Sequence, residues 1–393
     1  MTSTGTEASA VLGAVRGIAA RLRENGREAE ERGWLPEENI QLLDKAGVFR
    51  TAVPRAFGGL DLPLSDQFDI VAEIARGCGS TGWVANAWVS SAWLISQYPD
   101  QAQEEIYAGG SLRVSGGFTP TGRATRVEGG FVLNGSWRFN TGIRGADWNI
   151  LAALVERDDD EHEEVYAVVP ASAMTIADDW DVSAAAGTGS STTSLTDHFV
   201  PAHRVVDGFE VLEGEVAGRS NAGAQSGREY GLTLYVMALS VAAYVGMARA
   251  ALELFLEKAP GKGIAYSHWT ETREHPYVQF QVAAAANKIA AAEGLAALYT
   301  RRIQEAADAG ERLSTEERVE TRGRIAYAVQ LAKEAVETLH AVSGASVIVK
   351  SGAFQRVHRD ILGLSLHGLL AQLGGFEAYG RVLLGLEPDT EYI

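Results

Sequence analysis

RVEGGFVLNGSWRFN, residues 126–140, alternates apolar and polar side chains at a period of two, with glycines and asparagines at its bends. That is the texture of half-buried β-strands, and it recurs in WNILAALVE (148–156) and EVYAVVP (164–170). On both sides of this zone the texture is helical. Upstream, VLGAVRGIAARLRENGREAEERG (11–33) and PEENIQLLDKAGVF (36–49) carry the 3.6-residue period, broken by the bend VPRAFGGLDLP (53–63). Downstream come three long Ala-rich or amphipathic runs, 274–310, 315–344 and 359–385. The order α, β, α predicts an α+β fold that is mainly α. The expected parts are an N-terminal α-helical domain over 1–110, a central β-barrel or sandwich domain over 111–220, and a C-terminal four-helix bundle over 221–393.

Bulk properties exclude several classes of function. The chain has 393 residues, enough for two or three domains, and is 46% hydrophobic. Its net charge of −17 repels phosphate, which argues against nucleic-acid and anionic-membrane partners. A single cysteine, Cys78, leaves no internal disulfide and no cysteine-rich metal site, as expected in a reducing cytoplasm. The N-terminus lacks a basic segment followed by an apolar run, so no signal peptide is read. LYVMALSVAAYVGMARAALELF (234–255) is long enough to span a bilayer but Ala-rich, and reads as a buried bundle helix. The acidic run ERDDDEHEE (156–164) reads as a solvated hairpin turn and not as a metal site, and no zinc spacing, P-loop or G-x-G-x-x-G loop is present. No metal is expected.

One bend invites two readings. In WRFNTGIRGADW (137–148), Thr141-Gly142 sits between Trp137, Phe139 and Trp148. It is either a plain β-turn, since Gly tolerates positive φ, or a floor for a flat ring with a hydroxyl turned to its polar edge.

Several segments in order resemble the acyl-CoA dehydrogenase superfamily over nearly the whole length. AGVFRTAVPRAFGGLDLPLSDQFDIVAEIARGCGSTGWV (46–84) is similar to its N-terminal helical domain, WDVSAAAGTGSSTTSLTDHFVPAHRV (180–205) to its β-domain, and GAFQRVHRDI (352–361) to its C-terminal Arg-Asp helix start. The resemblance implies a flavin between the β-domain and the bundle, with Thr141 near the N5 edge of the ring. In most members a carboxylate base lies nine residues before the Asp of the Arg-Asp pair. Here that position is Ser351, and the alternative position falls near Val236; neither can remove a proton.

His367 stands seven residues after Asp360. Two helical turns would place them on one face, with Gly363 and Leu364 between. Taken alone, that is a core or interface histidine. The Arg-Asp-x6-His pattern resembles the oxygenase components of two-component flavin-dependent monooxygenases, often called group D. There the His faces a flavin 4a-hydroperoxide and supports it by hydrogen bonding. Many members also carry a second His eight residues beyond the Trp of STGWV; from Trp83 that position is Ser91. Trp88 and Ser91 are candidates for the substrate pocket, together with Trp93; for the tryptophans a plain core role stands beside that one.

The resemblance further implies cofactor contacts at Phe118 and Thr119 in SGGFTPTG (115–122), at Trp137, Thr141 and Gly142, at Arg273 in TREHPYVQFQ (272–281), and at Ser343 and Gly344 in VSGAS (342–346). Arg273 and 342–346 match segments that reach a neighbouring subunit's flavin, implying a homotetramer or homodimer. The implied cofactor is reduced flavin, FAD in preference to FMN, with O2 as co-substrate. A separate NAD(P)H:flavin reductase would supply it, since no NAD(P)H site is visible. The implied activity is monooxygenation of an aromatic small molecule (phenolic, indole or polyketide-like), of the kind used in secondary metabolism. N- or S-oxygenation, and acyl-CoA dehydrogenation with a relocated base, remain open as alternatives.

Overall fold

The computed structural model describes residues 3–156, 162–220, 228–390 and 392–393. Five helices come first: α1 (Ser3–Arg32), α2 (Glu37–Lys45), α3 (Leu64–Gly77), α4 (Gly79–Leu94) and α5 (Asp100–Ile106). Seven strands follow: β1 (Val114–Val127), β2 (Gly130–Trp137), β3 (Trp148–Glu156), β4 (His162–Pro170), β5 (Thr175–Ile176), β6 (Thr193–Pro201) and β7 (Val205–Asp207). They form one sheet in the order β5-β6-β2-β1-β3-β4-β7, antiparallel except for β1 with β3. A short α6 (Gly208–Glu213) leads to α7 (Leu232–Lys258), α8 (Pro276–Ala309), α9 (Thr315–Ala341), α10 (Ala353–Leu364) and α11 (Gln372–Leu383). The acidic run joins β3 to β4; its tip, 157–161, lies outside the described residues. Among the described residues no cluster of three or more metal-ligating side chains occurs.

The β1–β3 register explains how one strand turns side chains outward. Gly117 pairs with Leu151 and Gly122 with Ala153, so residues 118–121 bulge out opposite Ala152 alone. Pro120 lies in this bulge, where its missing N–H costs no ladder bond. The indole N–H of Trp137 donates to the Ala152 carbonyl at 2.7 Å, capping the acceptor opposite the bulge. Three glycines make room for the ring. A Cβ on Gly117, Gly122 or Gly135 would lie 2.8, 2.2 or 2.8 Å from Trp137 atoms. Phe118 is thereby left 39% exposed.

α7 is apolar and long enough to cross a membrane, but it is the bundle's central helix, packed by α3, α4, α8, α9 and α10. Two glycines let helices approach. A Cβ on Gly246 would meet the Ala72 carbonyl oxygen at 2.1 Å, and one on Gly82 the Ala75 Cβ at 2.4 Å. Both α7 and α4 therefore dock closely on α3. Arg76 of α3 bonds Glu73 (2.5 Å) and Glu253 of α7 (2.9 Å), fixing the same junction with charge.

Candidate active site

The turn after β2 is clamped from three directions. Ser115 Oγ donates to the Thr141 carbonyl at 2.8 Å, the Gly142 N–H to the Thr188 carbonyl at 3.2 Å, and the Trp88 indole N–H to the Gly142 carbonyl at 3.2 Å. Gly142 has φ +75°, and a Cβ there would lie 2.7 Å from Trp88 Nε1, so both conformation and space demand glycine. Trp88 itself has no open surface: it is fully buried, edge-on to Phe49 and Trp34, and supports the turn from behind. Trp137, 1% exposed, likewise stands behind the turn, in the β-domain core.

Thr141 heads a row of hydroxyls. Its Oγ1 lies 2.9 Å from Ser190 Oγ, which lies 2.8 Å from Thr188 Oγ1. Three hydroxyls hold three protons, and two internal links use only two of them. Thr188 and Ser190 are buried (1% and 4%), whereas Thr141 is half-buried, so the open end of the row is Thr141. The hydroxyl partners were not legible in the sequence reading; the repeated hydroxyls of GTGSS were their only signal. Asp360 holds this row in place from the bundle. Its carboxylate accepts from the Ala185 N–H at 2.7 Å, and Ala185 (φ +52°) opens the turn carrying Thr188. Burial raises the Asp360 carboxyl to about 6, against the pull of that N–H and of Arg356 and Arg359.

His367 departs from the sequence expectation of a shared helical face with Asp360. α10 ends at Leu364, whose carbonyl accepts from the Tyr244 hydroxyl at 2.6 Å, and His367 lies three residues beyond, in extended backbone. Its N–H closes a turn onto Leu364 O (3.0 Å). The imidazole sits edge-on to Trp83, centroids 5.7 Å apart, and Trp83 in turn edge-on to Tyr244 at 5.9 Å. His367 is exposed in the single chain, and the packing around its ring lowers its pKa below the ordinary histidine value. With its pKa lowered, it is neutral at pH 7.

No described contact joins His367 to the Thr141 turn directly; each packs on α4, at Trp83 and Trp88 respectively. The other candidates divide into two groups. Phe118 and Thr119 lie on the β1 bulge and are exposed, and Ser91 is buried in α4. Arg273 lies on the bundle surface, 59% exposed, paired with Glu271 at 3.2 Å. Ser343 and Gly344 flank a groove that Thr272 also lines, and Lys262 donates to the Ser343 carbonyl across it. The two positions of the expected base have no carboxylate: Ser351 is exposed in the turn before α10, and Val236 is half-buried on α7.

These residues fit a flavin. An aromatic face at Phe118, a hydroxyl row with a surplus proton at Thr141, and a neutral imidazole at His367 match a flat ring with a polar edge. Arg273 is an exposed cation paired with Glu271, of a charge that suits phosphate.

Residues 6–113 match the acyl-CoA dehydrogenase N-terminal domain and residues 238–372 the acyl-CoA dehydrogenase C-terminal domain. The chain is 28% identical over 391 residues to an FADH2-dependent resorcinol hydroxylase, oxygenase component, of Rhizobium sp. (strain MTP-10005), covering 97% of this chain and 96% of that one. XiaF from Streptomyces sp., solved in complex with FADH2 and glycerol, superposes with a TM-score of 0.92 at 27% identity, over 100% of this chain and 99% of that one. The 3-HSA hydroxylase of Rhodococcus sp. RHA1 gives 0.90 at 26%, over 98% and 99%.

Proposed function

We propose, on the premise that this chain belongs to the acyl-CoA dehydrogenase superfamily, in its branch of two-component flavin-dependent monooxygenase oxygenase components, that His367 and Thr141 frame the reacting end of the cofactor. The enzyme uses reduced flavin and O2 to hydroxylate an aromatic small molecule, and a separate reductase supplies the reduced flavin. When held there, reduced flavin would supply the two electrons with which O2 gives one oxygen atom to the substrate and the other to water.

The chain's own groups bind, orient and keep water out. Thr141 donates its surplus hydroxyl proton to the polar edge of the ring, held in line by Ser190 and Thr188. His367, neutral and exposed in the single chain, offers an N–H to the bound cofactor, which itself would displace competing water from that hydrogen bond. Trp83 packs edge-on against His367 and is itself backed by Tyr244. Phe118 and Thr119 face the ring from the bulge, and Trp88 and Trp137 brace the turn from behind.

A second copy of the chain completes the site in this reading. Arg273, Ser343 and Gly344 hold the phosphates of the neighbour's FAD in a homotetramer. Exposed Phe280 (68%), Ile348 (70%) and Val349 (53%) near those residues support a buried partner face. Residence in the cytoplasm, where the reductase finds its NAD(P)H, belongs to the same reading.

The observation that carries the proposal is the neutral His367 beside Trp83, in a site whose two expected base positions are Ser351 and Val236. In a reductase-coupled assay, His367→Ala is expected to retain flavin binding while hydrogen peroxide rises and product per NADH falls about tenfold or more, as for the loss of one hydrogen-bond donor. Unchanged coupling removes His367 from the reaction.

A further inference from the structure

The segment 183–189, between β5 and β6, is gripped by α10 at three consecutive residues. The Arg359 guanidinium donates to the Ser183 carbonyl at 2.6 Å, and the Ala185 N–H donates to the Asp360 carboxylate at 2.7 Å. Between them Ala184 lies against Gly363, where an added Cβ would stand 2.6 Å from the Ala184 Cβ. Arg359, Asp360 and Gly363 fall at i, i+1 and i+4, so one face of the helix makes all three contacts. The far side of the segment is enclosed as well. A Cβ on Gly187 would lie 3.0 Å from the Cβ atoms of Ala29 on α1 and Ser80 on α4, and Glu30 of α1 pairs with Arg359.

This grip holds a conformation that the segment would not choose. Ala185 has φ +52°, in the left-handed region that is costly for a residue with a Cβ. Asp360 is buried, and its carboxylate accepts only from that N–H and, at 3.4 Å, from the Ser80 hydroxyl. A strained residue persists where the surrounding structure over-determines it. From Ala185 the turn runs straight to the site. The Thr188 N–H closes on the Ala185 carbonyl at 3.0 Å, the Thr188 carbonyl accepts from Gly142, and the Thr188 hydroxyl begins the row that ends at Thr141. The same helix stops at Leu364 under the Tyr244 hydroxyl and leads to His367.

We propose that Asp360 is a positioning residue for the flavin site: with Arg359 and Gly363 it fixes segment 183–189 to α10, so that one helix aims both Thr141 and His367. The proposal rests on the reading that Thr141 meets the flavin; the grip itself is a property of the single chain. Loss of Asp360 leaves the Ala185 N–H without its acceptor and lets Ala185 return to the ordinary φ range. Thr188 then shifts, and the hydroxyl row no longer presents the Thr141 proton outward.

A double-mutant cycle on cofactor binding tests this. Reduced FAD is titrated anaerobically into the whole protein by calorimetry, and melting without flavin is recorded for every variant. Asp360→Ala is expected to weaken binding about tenfold with Thr141 present, and by about twofold or less in the Thr141→Val background. Asp360→Asn keeps an acceptor for the Ala185 N–H and should stay within about twofold of the parent protein. Arg359→Gln, at a half-buried position, should repeat the pattern at about threefold, and decides the cycle if Asp360→Ala does not fold. Equal losses in the two backgrounds, no loss in either, no effect of Thr141→Val, or failure of Asp360→Asn to restore binding overturns the proposal. The parent protein separates the two claims. If it binds no reduced FAD, the flavin reading falls and this proposal with it; if it binds and weakens on Thr141→Val while the cycle is additive, this proposal falls alone.

Discussion

At His367 the physical chemistry sets a direction for pH. Desolvation lowers its pKa, so folding keeps it neutral where an unfolded chain would begin to bind a proton near 6.5. The unfolded state then holds more protons in that window, and the residue's contribution to stability is present above about 6.5 and lost as pH falls. Asp360 works in the opposite sense: its carboxyl is raised to about 6, so its contribution is lost as pH rises from the ordinary carboxylate range through that value. In the proposed reaction His367 acts in its neutral form. Coupling of reduced flavin to product should be flat from pH 8 to about 6.5 and decline only below it. A midpoint above pH 7, read from peroxide release across the range, contradicts the burial argument. The spacing to Asp360 singles out His367 in the sequence, but its placement beyond the end of α10 is not legible there. Sequence periodicity continues the helix through it, whereas the Tyr244 hydroxyl caps Leu364 and ends it. Tyr244 is more than a hundred residues away in sequence, and no local pattern announces the cap.

At the scale of elements, α4 is the member on which the site is assembled. It meets the Thr141 turn through Trp88, His367 through Trp83 and α7 through Asn86. Its position is set by α3, which accepts α4 and α7 at Gly82 and Gly246. A methyl on Gly246 would collide with the Ala72 carbonyl, which is backbone and cannot swing aside. Gly246→Ala is therefore expected to cost about 1–3 kcal/mol of stability by overpacking, measured by chemical denaturation. An unchanged midpoint would show that the α3–α7 distance is not fixed as described. The α, β, α order of elements was readable from composition and period alone. The bulge at 118–121 was not, because it depends on Trp137 capping a carbonyl two strands away. The three glycines around that indole are visible in sequence, but only as turn formers.

For the whole molecule, the residues proposed to face the ring lie in the β-domain and beyond the end of α10, and the phosphate candidates lie before α8 and after α9, which is the ground for proposing a shared site. Ile348→Asp places a charge on the proposed partner face. It is expected to shift the assembly toward monomers in analytical ultracentrifugation and to weaken FAD binding about tenfold or more, as Arg273→Ala should without dissociation. Full flavin affinity in an Ile348→Asp monomer would locate the whole cofactor within one chain. The family resemblance, read from segments spread over the chain, carried the functional class; contacts between subunits leave no period or motif of their own. The most direct test of the central claim is one turnover under 18O2. The protein, loaded anaerobically with reduced FAD and an aromatic probe such as resorcinol or indole, is mixed with 18O2 without reductase or NADH, and the product is weighed by mass spectrometry. The account predicts a hydroxylated product carrying one 18O atom. Reoxidation of the flavin with peroxide alone, for every aromatic offered, contradicts it.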